Sequence, residues 1–371
     1  MNPGKRREKP GFSGVVHLCY GHAHILGVGL NDSGQSGGGQ KPVRIEDVAR
    51  EAGVSPITVS RALSTPDKVK AETRERVLQA VEKTGYVVNS IASSLRSGRS
   101  SVVTVFVASL LNPHFASAVQ GALDAFEGSR FHLMFAQTGY TEALGHDIAE
   151  ILRPFRPAAV MFTGVPLQAE ARAAMRRVGV PVIEVWGDGS DAIDMTAGAS
   201  IEHGAQLMGA HFAQQRYSHV AYCGQTVPPG GVGLTGFRRG LEAGGGKLGH
   251  VMALEGTGTL SGGMAAFSRI LKECPQCDAI FFGSDLLAVG AILAARDAGV
   301  ALPDQVAIAG YGDLDFAVHM TPALTTIRVS DYDTGRLAGL ALRARLEGGE
   351  TPDPIIQVPM QLVVRESTPA K

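Results

Sequence analysis

Residues 44–63 read RIEDVAREAGVSPITVSRAL, and this stretch decides the fold of the N-terminal part of the chain. Apolar residues in its first half lie three or four positions apart, which is the spacing of one buried helix face. These residues are Ile45, Val48, Ala49 and Ala52. Gly53 ends that helix, and Ser55 followed by Pro56 begins another, because serine caps a helix N-terminus and proline suits the first helical position. Two short helices joined by a tight turn are therefore predicted.

A third helix is predicted over residues 71–84, where Val77, Leu78 and Val81 would close a small apolar core. Two helices joined by a turn and covered by a third form a helix-turn-helix unit, which we assign to residues 43–88. A unit of this size buries little apolar surface. It should therefore be only marginally stable by itself.

The segments on either side of this unit have less regular patterns. Residues 1–42 are rich in glycine and show no helical or strand period, so we interpret them as a flexible extension. Because organised sequence begins near Val43, a start codon assigned too far upstream is a hypothesis that mass spectrometry of the native N-terminus would test. Residues 89–100 are polar and lightly basic and have room for one short hinge helix. Such a helix needs a partner, because short helices are marginal in water.

The net charge of −1 is unevenly distributed along the chain. Residues 41–100 contain eleven Lys or Arg and seven Asp or Glu, a net charge of +4, and residues 1–40 add +2. The rest of the chain must then carry −7. A basic head on an acidic body indicates that the head meets a polyanion, and chance clustering is the alternative.

Composition excludes several classes of protein. With 371 residues, 44% hydrophobic and 19% charged, the chain is too apolar to be disordered or fibrous and long enough for two or three domains. It has no uncharged apolar run of about eighteen residues and no secretory start, so we predict a soluble cytoplasmic protein without membrane contact. Its four cysteines include Cys274 and Cys277 but no second metal-spaced pair, so neither a metal nor another cofactor is predicted.

Beyond Ser101 the pattern changes to short apolar runs separated by stretches of helical length. Such runs are typical of strands buried on both faces, and their alternation with helices indicates parallel sheets covered on both sides. The eight runs predicted as strands are 102–108, 131–137, 158–164, 180–186, 219–224, 279–285, 306–312 and 324–329. Two doubly wound lobes with a ligand in the cleft between them suit this pattern, and a barrel is the competing fold.

The stretch quoted first is part of a longer pattern. Residues 44–100 resemble, without a gap, the DNA-binding head of the lactose-repressor (LacI) family. Four stretches of the body are also similar to family landmarks: NPHF (112–115), SDLLAVGA (284–291), VAIAGYGDLDFA (306–317) and PALTTIR (322–328). Within the family, VIEVWGDGSDAIDM (182–195) is most similar to gluconate-type repressors.

The resemblance implies an α/β protein in which a small all-α helix-turn-helix head precedes a two-lobed, doubly wound body like the periplasmic binding proteins. The first lobe would comprise about residues 101–215 and 330–354, and the second about 216–329 and 355–371. Family members bind a palindromic operator as homodimers or tetramers, and a small sugar or sugar acid controls their affinity for it. The expected function is therefore transcriptional repression controlled by such an effector.

In family members the second helix of the head enters the major groove. The residues at the matching positions are Ser55, Pro56, Ile57, Thr58, Ser60 and Arg61. Pro56 and Ile57 can offer apolar contact to thymine methyl groups, whereas Arg61 is the expected reader of guanine. The alternatives are that Pro56 only starts the helix and that Arg61 only binds phosphate.

The resemblance also assigns the hinge helix to the minor groove at the operator centre. Asn89 would cap this helix, Ala92 would allow two such helices to approach closely, and Leu95 would wedge between base pairs. A core position is the alternative for Leu95, but its neighbours, Arg96 among them, are too polar for a core helix. We predict that all four residues contact DNA.

For the effector, the resemblance points to residues at the ends of strands. Asp285 matches a family carboxylate that holds ligand hydroxyls, and its alternative role is the N-cap of the helix that follows. His114 and Phe115 lie in the first strand-to-helix loop, where the family presents side chains to the ligand. Thr163 and Gly164, at the end of another strand, are further candidates.

The chain departs from the family where many members carry a ligand-clamping arginine, because Gly233 stands there. The acidic or amide residue that precedes the helix HGAQLMGAHF is likewise replaced, by Ser200 or Ile201. Three possibilities follow: another cation serves an acid ligand, the ligand is neutral, or it is of an unusual kind.

Two other functions fit parts of the sequence. A periplasmic solute-binding protein would explain the body, but neither the basic head nor the missing signal peptide. An activator or a corepressor-dependent regulator would share every feature of the repressor. The sequence has no catalytic triad, nucleophile elbow, phosphate loop or paired-histidine metal motif, so we do not expect an enzyme.

Overall fold

The protein is described by a computed structural model, in which the described residues are 43–64, 68–86, 100–138, 148–164, 167–186, 192–226, 231–254, 258–349 and 353–369. They fall into two units, one that ends at Ser100 and one that begins at Ser101. The first contains an all-α head, and the second is an α/β body.

The head has three helices where the sequence predicts them: α1 (Ile45–Ala52), α2 (Pro56–Ser64) and α3 (Ala71–Thr84). The hydroxyl of Ser55 accepts a hydrogen bond from the backbone N–H of Thr58 at 3.2 Å and so caps α2. Gly53 and Gly85 follow α1 and α3 with φ of 65° and 66°, a left-handed conformation that glycine adopts without strain. The predicted helix-turn-helix is confirmed.

The three helices of the head share one small apolar core. Its buried members are Val48, Ala49, Ala52, Val59, Ala62, Val77 and Ala80. The prediction for Leu78 is wrong, because its side chain is 46% exposed and Ala80 contributes to the core instead. Each residue of a helix turns by about 100°, so position 78 is rotated away from the face that Val77 and Ala80 share.

The body alternates strands and helices along the chain. Its strands are β1 (Val102–Val107), β2 (His132–Gln137), β3 (Ala159–Thr163), β4 (Val182–Val185), β5 (Met195–Gly198), β6 (Val220–Gly224), β7 (Leu248–Ala253), β8 (Ala279–Phe282), β9 (Ala307–Ala309), β10 (Thr326–Val329), β11 (Ile355–Gln357) and β12 (Met360–Val363). Its helices are α4 (Pro113–Ala125), α5 (Ile148–Leu152), α6 (Ala169–Val178), α7 (Ile201–Gln214), α8 (Gly231–Ala243), α9 (Leu260–Glu273), α10 (Asp285–Ala298) and α11 (Asp331–Glu347). All eight predicted strands are present, and β5, β7, β11 and β12 are additional.

The strands form two separate parallel sheets. One has the order β11-β5-β4-β3-β1-β2 and the other the order β7-β6-β8-β9. Strand β10 pairs antiparallel with β12, so the predicted strand 324–329 lies in a two-stranded ribbon and not in a parallel sheet. Two open sheets exclude the competing barrel and confirm the doubly wound α/β lobes.

The chain crosses between the lobes at other residues than the sequence predicts. Helix α7 packs on α8 beside the second sheet, where the rings of Phe212 and Phe237 lie 5.5 Å apart in one buried cluster. The first lobe therefore ends near Ser200 and not near 215. It also retains residues 355–357, because β11 pairs with β5.

Helices α7 and α8 approach each other at glycines. A methyl group at Gly236 would collide with the carbonyl oxygen of Glu202 on α7, whereas one at Gly233 would lie 3.4 Å from the Tyr222 hydroxyl, an ordinary contact. We therefore expect Gly236→Ala to lower the free energy of unfolding by about 1–3 kcal/mol. Gly233→Ala is the control on the same helix and should not destabilise, because alanine is the better helix former. Equal melting temperatures for the two variants would contradict this account.

Candidate DNA-recognition and effector sites

Helix α2 of the head has a buried face and an outer face. Val59 is fully buried and Ala62 nearly so, whereas the Ile57 side chain is 64% exposed. Of the other residues predicted to read DNA, Ser55, Pro56 and Arg61 are exposed and Thr58 and Ser60 are half-buried. Ile57 and Arg61 stand one turn apart on the outer face. This face thus combines an apolar side chain with a guanidinium group, the two kinds of contact that base edges accept in the major groove.

The hinge prediction concerns Asn89, Ala92, Leu95 and Arg96. All four lie outside the described residues. Their contact with the minor groove stays a prediction.

Two aromatic side chains stand at the carboxyl edge of the first sheet. Phe115, in the first turn of α4, meets Trp186 edge to face, with ring centroids 5.1 Å apart and an angle of 63° between the rings. Gly164 lies directly against the Phe115 ring, and Gly198 lies against the backbone of Trp186, so side chains at either glycine would collide. The half-buried aromatic pair is therefore held from behind by backbone and presents an apolar surface at this edge.

Thr163 supports this edge without reaching the surface. Its side chain is fully buried, and its hydroxyl donates a hydrogen bond to the carbonyl oxygen of Phe106 at 2.8 Å. A hydroxyl turned into the neighbouring strand is not presented to a ligand. The structure thus corrects the prediction for Thr163, while its neighbour Gly164 lies at the edge.

His114 connects the two lobes of the body. Its Nδ1 lies 2.6 Å from a carboxylate oxygen of Asp331, the first residue of α11. Its ring also lies against Gly312 of the second lobe, where any side chain would collide with the imidazole. Burial lowers the pKa of His114, but the Asp331 carboxylate outweighs burial and raises the pKa above its usual value. His114 and Asp331 therefore form an ion pair between the lobes when the imidazole is protonated.

Asp285 is fully buried at the carboxyl end of β8. One carboxylate oxygen accepts a hydrogen bond from the backbone N–H of Leu314 at 2.8 Å, and the other accepts one from the Thr326 hydroxyl at 2.6 Å. Burial raises the pKa of Asp285 to about 6. The alternative role as N-cap is wrong, because the Ser284 hydroxyl caps α10. Asp285 thus fastens β8 to the loop after β9 and to β10.

A second carboxylate holds the same loop from the other side. Asp313 accepts hydrogen bonds from the guanidinium groups of Arg365, at 2.7 Å, and Arg328. Because Leu314 is its neighbour, these pairs fix the amide that reaches Asp285. The C-terminal segment is connected in this way to the edge where the effector candidates lie.

Sequence reasoning missed Trp186, Asp331 and Tyr222 at this edge. Trp186 is the only tryptophan of the chain and ends a predicted strand, a signal that could have been used. Asp331 stands two positions after another predicted strand, as Asp285 stands at the end of its own. The pairing of His114 with Asp331 spans 217 positions and has no local signal.

The head and the body together define a class of protein. A helix-turn-helix with an exposed outer face is a DNA-binding module, and two doubly wound lobes with side chains gathered at their carboxyl edges form a ligand-binding body. Residues 44–89 match the family model for bacterial regulatory proteins, lacI family, and residues 210–368 match that for a periplasmic binding protein-like domain. The chain belongs to the lacI family and is a DNA-binding transcriptional regulator with an effector-binding body.

Individual proteins of this family are similar over most of the chain. The HTH-type transcriptional regulator GntR of Pseudomonas aeruginosa is 30% identical over 330 residues, 87% of this chain and 95% of the relative. The crystal structure of a LacI family regulator from Silicibacter pomeroyi has a TM-score of 0.78 at 26% identity and covers 88% of this chain and 99% of its own. The lac repressor dimer bound to operator and the anti-inducer ONPF has a TM-score of 0.76 with the same coverage, and its 23% identity shows the fold alone.

Two further observations concern the described residues. None of their helices is long and apolar enough to cross a membrane. Among them, no group of three or more His, Cys, Asp or Glu side chains is placed to hold a metal ion. Cys274 and Cys277 are buried, and burial raises the pKa of the Cys277 thiol to about 12.

Proposed function

We propose that the protein is a cytoplasmic repressor that binds a palindromic operator as a homodimer and changes its operator affinity when a sugar or sugar acid enters the body. The observation that carries the proposal is the outer face of α2, where Ile57 and Arg61 are exposed beside a capped helix N-terminus. The six residues from Ser55 to Arg61 named above are the proposed readers of the half-site. Asn89, Ala92, Leu95 and Arg96 are proposed to fill the minor groove between half-sites.

Dimerisation follows from the size of the reading surface. One recognition helix reads only a few base pairs, and a two-fold dimer doubles the site and makes it palindromic. The lac repressor, whose fold this chain shares, is a dimer on its operator. A tetramer would join two such dimers and contact two operators.

The proposed effector contacts are His114, Phe115, Gly164 and Asp285, to which the structure adds Trp186. His114 lies between the lobes, so a ligand that displaces or strengthens its pair with Asp331 changes the energy of lobe closure. An effector can control DNA binding only if it binds the DNA-bound and free states unequally. The His114–Asp331 pair is the contact through which we propose that this inequality arises.

Selection from a random pool of duplex oligonucleotides with the full-length protein tests the proposal. We expect enrichment of a palindrome whose half-sites are about one helical turn apart. Enrichment of no sequence would overturn the proposal and favour the solute-binding alternative. A reporter gene behind the selected site separates repression from activation, because a repressor lowers expression and an activator raises it.

A further inference from the structure

The second lobe presents a phenol at its carboxyl edge. Tyr222 on β6 is 2% exposed, and its hydroxyl donates a hydrogen bond to the carbonyl oxygen of Gln225 at 3.3 Å. Glycines surround this oxygen: a methyl group would lie 2.7 Å from it at Gly224 and 3.4 Å from it at both Gly233 and Gly283. Burial raises the pKa of Tyr222, so the phenol stays neutral. This part of the site therefore offers backbone and an uncharged hydroxyl group.

The first lobe presents the aromatic pair of Phe115 and Trp186 described above. Aromatic surfaces in ligand sites pack against apolar faces, while a few polar groups orient the ligand. A pyranose or furanose ring has such a face of C–H groups and carries hydroxyls at its rim. The pair and the phenol together suit a ring-shaped polyol.

The sequence places no cation at the carboxyl edges of the two sheets. In doubly wound folds, ligands bind outside the carboxyl ends of the strands, in the connections to the next elements. The connections after strands β1 to β10 contain no Lys or Arg. They do contain seven acidic residues: Glu142, Asp147, Asp188, Asp191, Asp194, Glu255 and Asp313. Of these, Asp194 lies back at the start of β4, where it accepts a hydrogen bond from Val182. An anionic ligand would meet repulsion here.

Arginines near these edges are already bound to carboxylates. Arg172 pairs with Glu184 at 2.7 Å and Arg239 with Glu202 at 2.6 Å. Arg328 and Arg365 both hold Asp313, as described above. An acid or phosphate group would have to break one of these pairs to gain a cation.

The described carboxylates are also engaged, which argues against a cationic ligand. Asp331 is paired with His114, and Asp313 with two arginines. Asp285 is buried and accepts hydrogen bonds on both oxygens. Neither charge sign of a ligand is therefore matched.

We infer that the body selects an uncharged, ring-shaped polyol and rejects sugar acids and sugar phosphates. The inference rests on the proposed function, because it narrows the effector class of the same site. It also answers the question raised by Gly233: no other arginine takes the place of the missing clamp.

Trp186 allows a direct test, because it is the only tryptophan of the chain. Its emission would be titrated in the full-length protein with matched sets of ligands, such as glucose, gluconate, glucose 6-phosphate and glucosamine, with corresponding sets for other hexoses, pentoses and disaccharides. We expect a neutral sugar to change the emission and its charged counterparts to bind more than about tenfold more weakly. Tighter binding of an acid, a phosphate or an amine overturns the inference, and so does a panel in which nothing binds.

Operator binding measured in parallel separates this inference from the proposed function. If a sugar acid changes the affinity for the selected operator, the proposed function stands and the inference fails. If a neutral sugar changes Trp186 emission but leaves operator affinity unchanged, the inference stands and the control of DNA binding fails.

Gly233→Arg provides a gain of binding. The position accepts a Cβ at ordinary distances of 3.4 Å from the Tyr222 hydroxyl and 3.7 Å from Ile201. A guanidinium there should tighten the binding of the acid member of a set by about tenfold or more, since a charged hydrogen bond is formed. Gly233→Gln is the matched control of similar length without charge and should not. An unchanged preference in Gly233→Arg would contradict the inference, because a missing cation would then not be what excludes acids.

Discussion

Asp285→Ala is expected to lower the melting temperature of the protein and to abolish its response to the effector, while operator binding persists below that temperature. The substitution removes an acceptor that the Leu314 N–H and the Thr326 hydroxyl both use inside the second lobe. A buried donor left without a partner costs about 1–3 kcal/mol. Both elements that carry these donors lie beside the effector candidates, so the loop after β9 should lose its position as well. Thermal unfolding and operator release by the effector measure the two effects.

Two variants at the same turn serve as controls. Asp285→Asn keeps the shape and one acceptor, so it should cost less stability than the alanine. Ser284→Ala removes the cap of α10, for which about 1 kcal/mol is expected, and should leave the effector response in place. A normal melting temperature and a normal response in Asp285→Ala would exclude the residue from both roles.

The same pair of proteins should differ in the pH dependence of stability. Burial raises the pKa of Asp285 from 3.8 to about 6, so between these values the folded state binds more protons than the unfolded state. Its contribution to the free energy of unfolding therefore grows as the pH falls from about 7 towards 4. The raised pKa of His114 acts in the same direction, since its contribution is complete below 6.5 and is lost as the pH rises through the folded value. Melting curves over this range should be flatter for Asp285→Asn.

The sequence predicted those features that depend on neighbouring residues. Helices α1 to α3 followed from apolar spacing and from Gly53, Ser55 and Gly85, because caps and periodicity act within one or two turns. Buried strands such as β1 and β3 followed from continuous apolar runs. Strand β5, which reads MTAG, was missed because small residues in a buried strand resemble a loop in the sequence.

Features that depend on distant parts of the chain could not be predicted in this way. The lobe boundary moved because α7 packs on α8, and no signal within α7 identifies its partner. Asp285 matched a family carboxylate, yet its hydrogen bonds with Thr326 and Leu314 arise from contacts 41 and 29 positions away. Burial of this kind is a property of the assembled lobe. The predicted contact of Asp285 with an effector thus requires a movement that uncovers it.

Arg61→Ala should reduce the preference of the protein for its operator over other sequences. An arginine that reads guanine with two hydrogen bonds contributes about 1–3 kcal/mol of discrimination, a factor of roughly 5 to 150. The exposed position of Arg61 on the outer face of α2, one turn beyond Ile57, allows this contact. Competition between the selected operator and variants with single base changes measures the loss, which should be confined to one position of each half-site.

Salt dependence separates base reading from the alternative that Arg61 only binds phosphate. A lost phosphate contact weakens binding to all sequences alike and lowers the slope of log affinity against log salt by about 0.9 for each contact. A lost base contact changes selectivity far more than this slope. Lys83→Ala is the charge-matched control, because Lys83 lies on α3 and pairs with Glu51 at 2.6 Å. If Arg61→Ala and Lys83→Ala kept the same selectivity as the unmodified protein, α2 would hold the backbone of the operator without reading it.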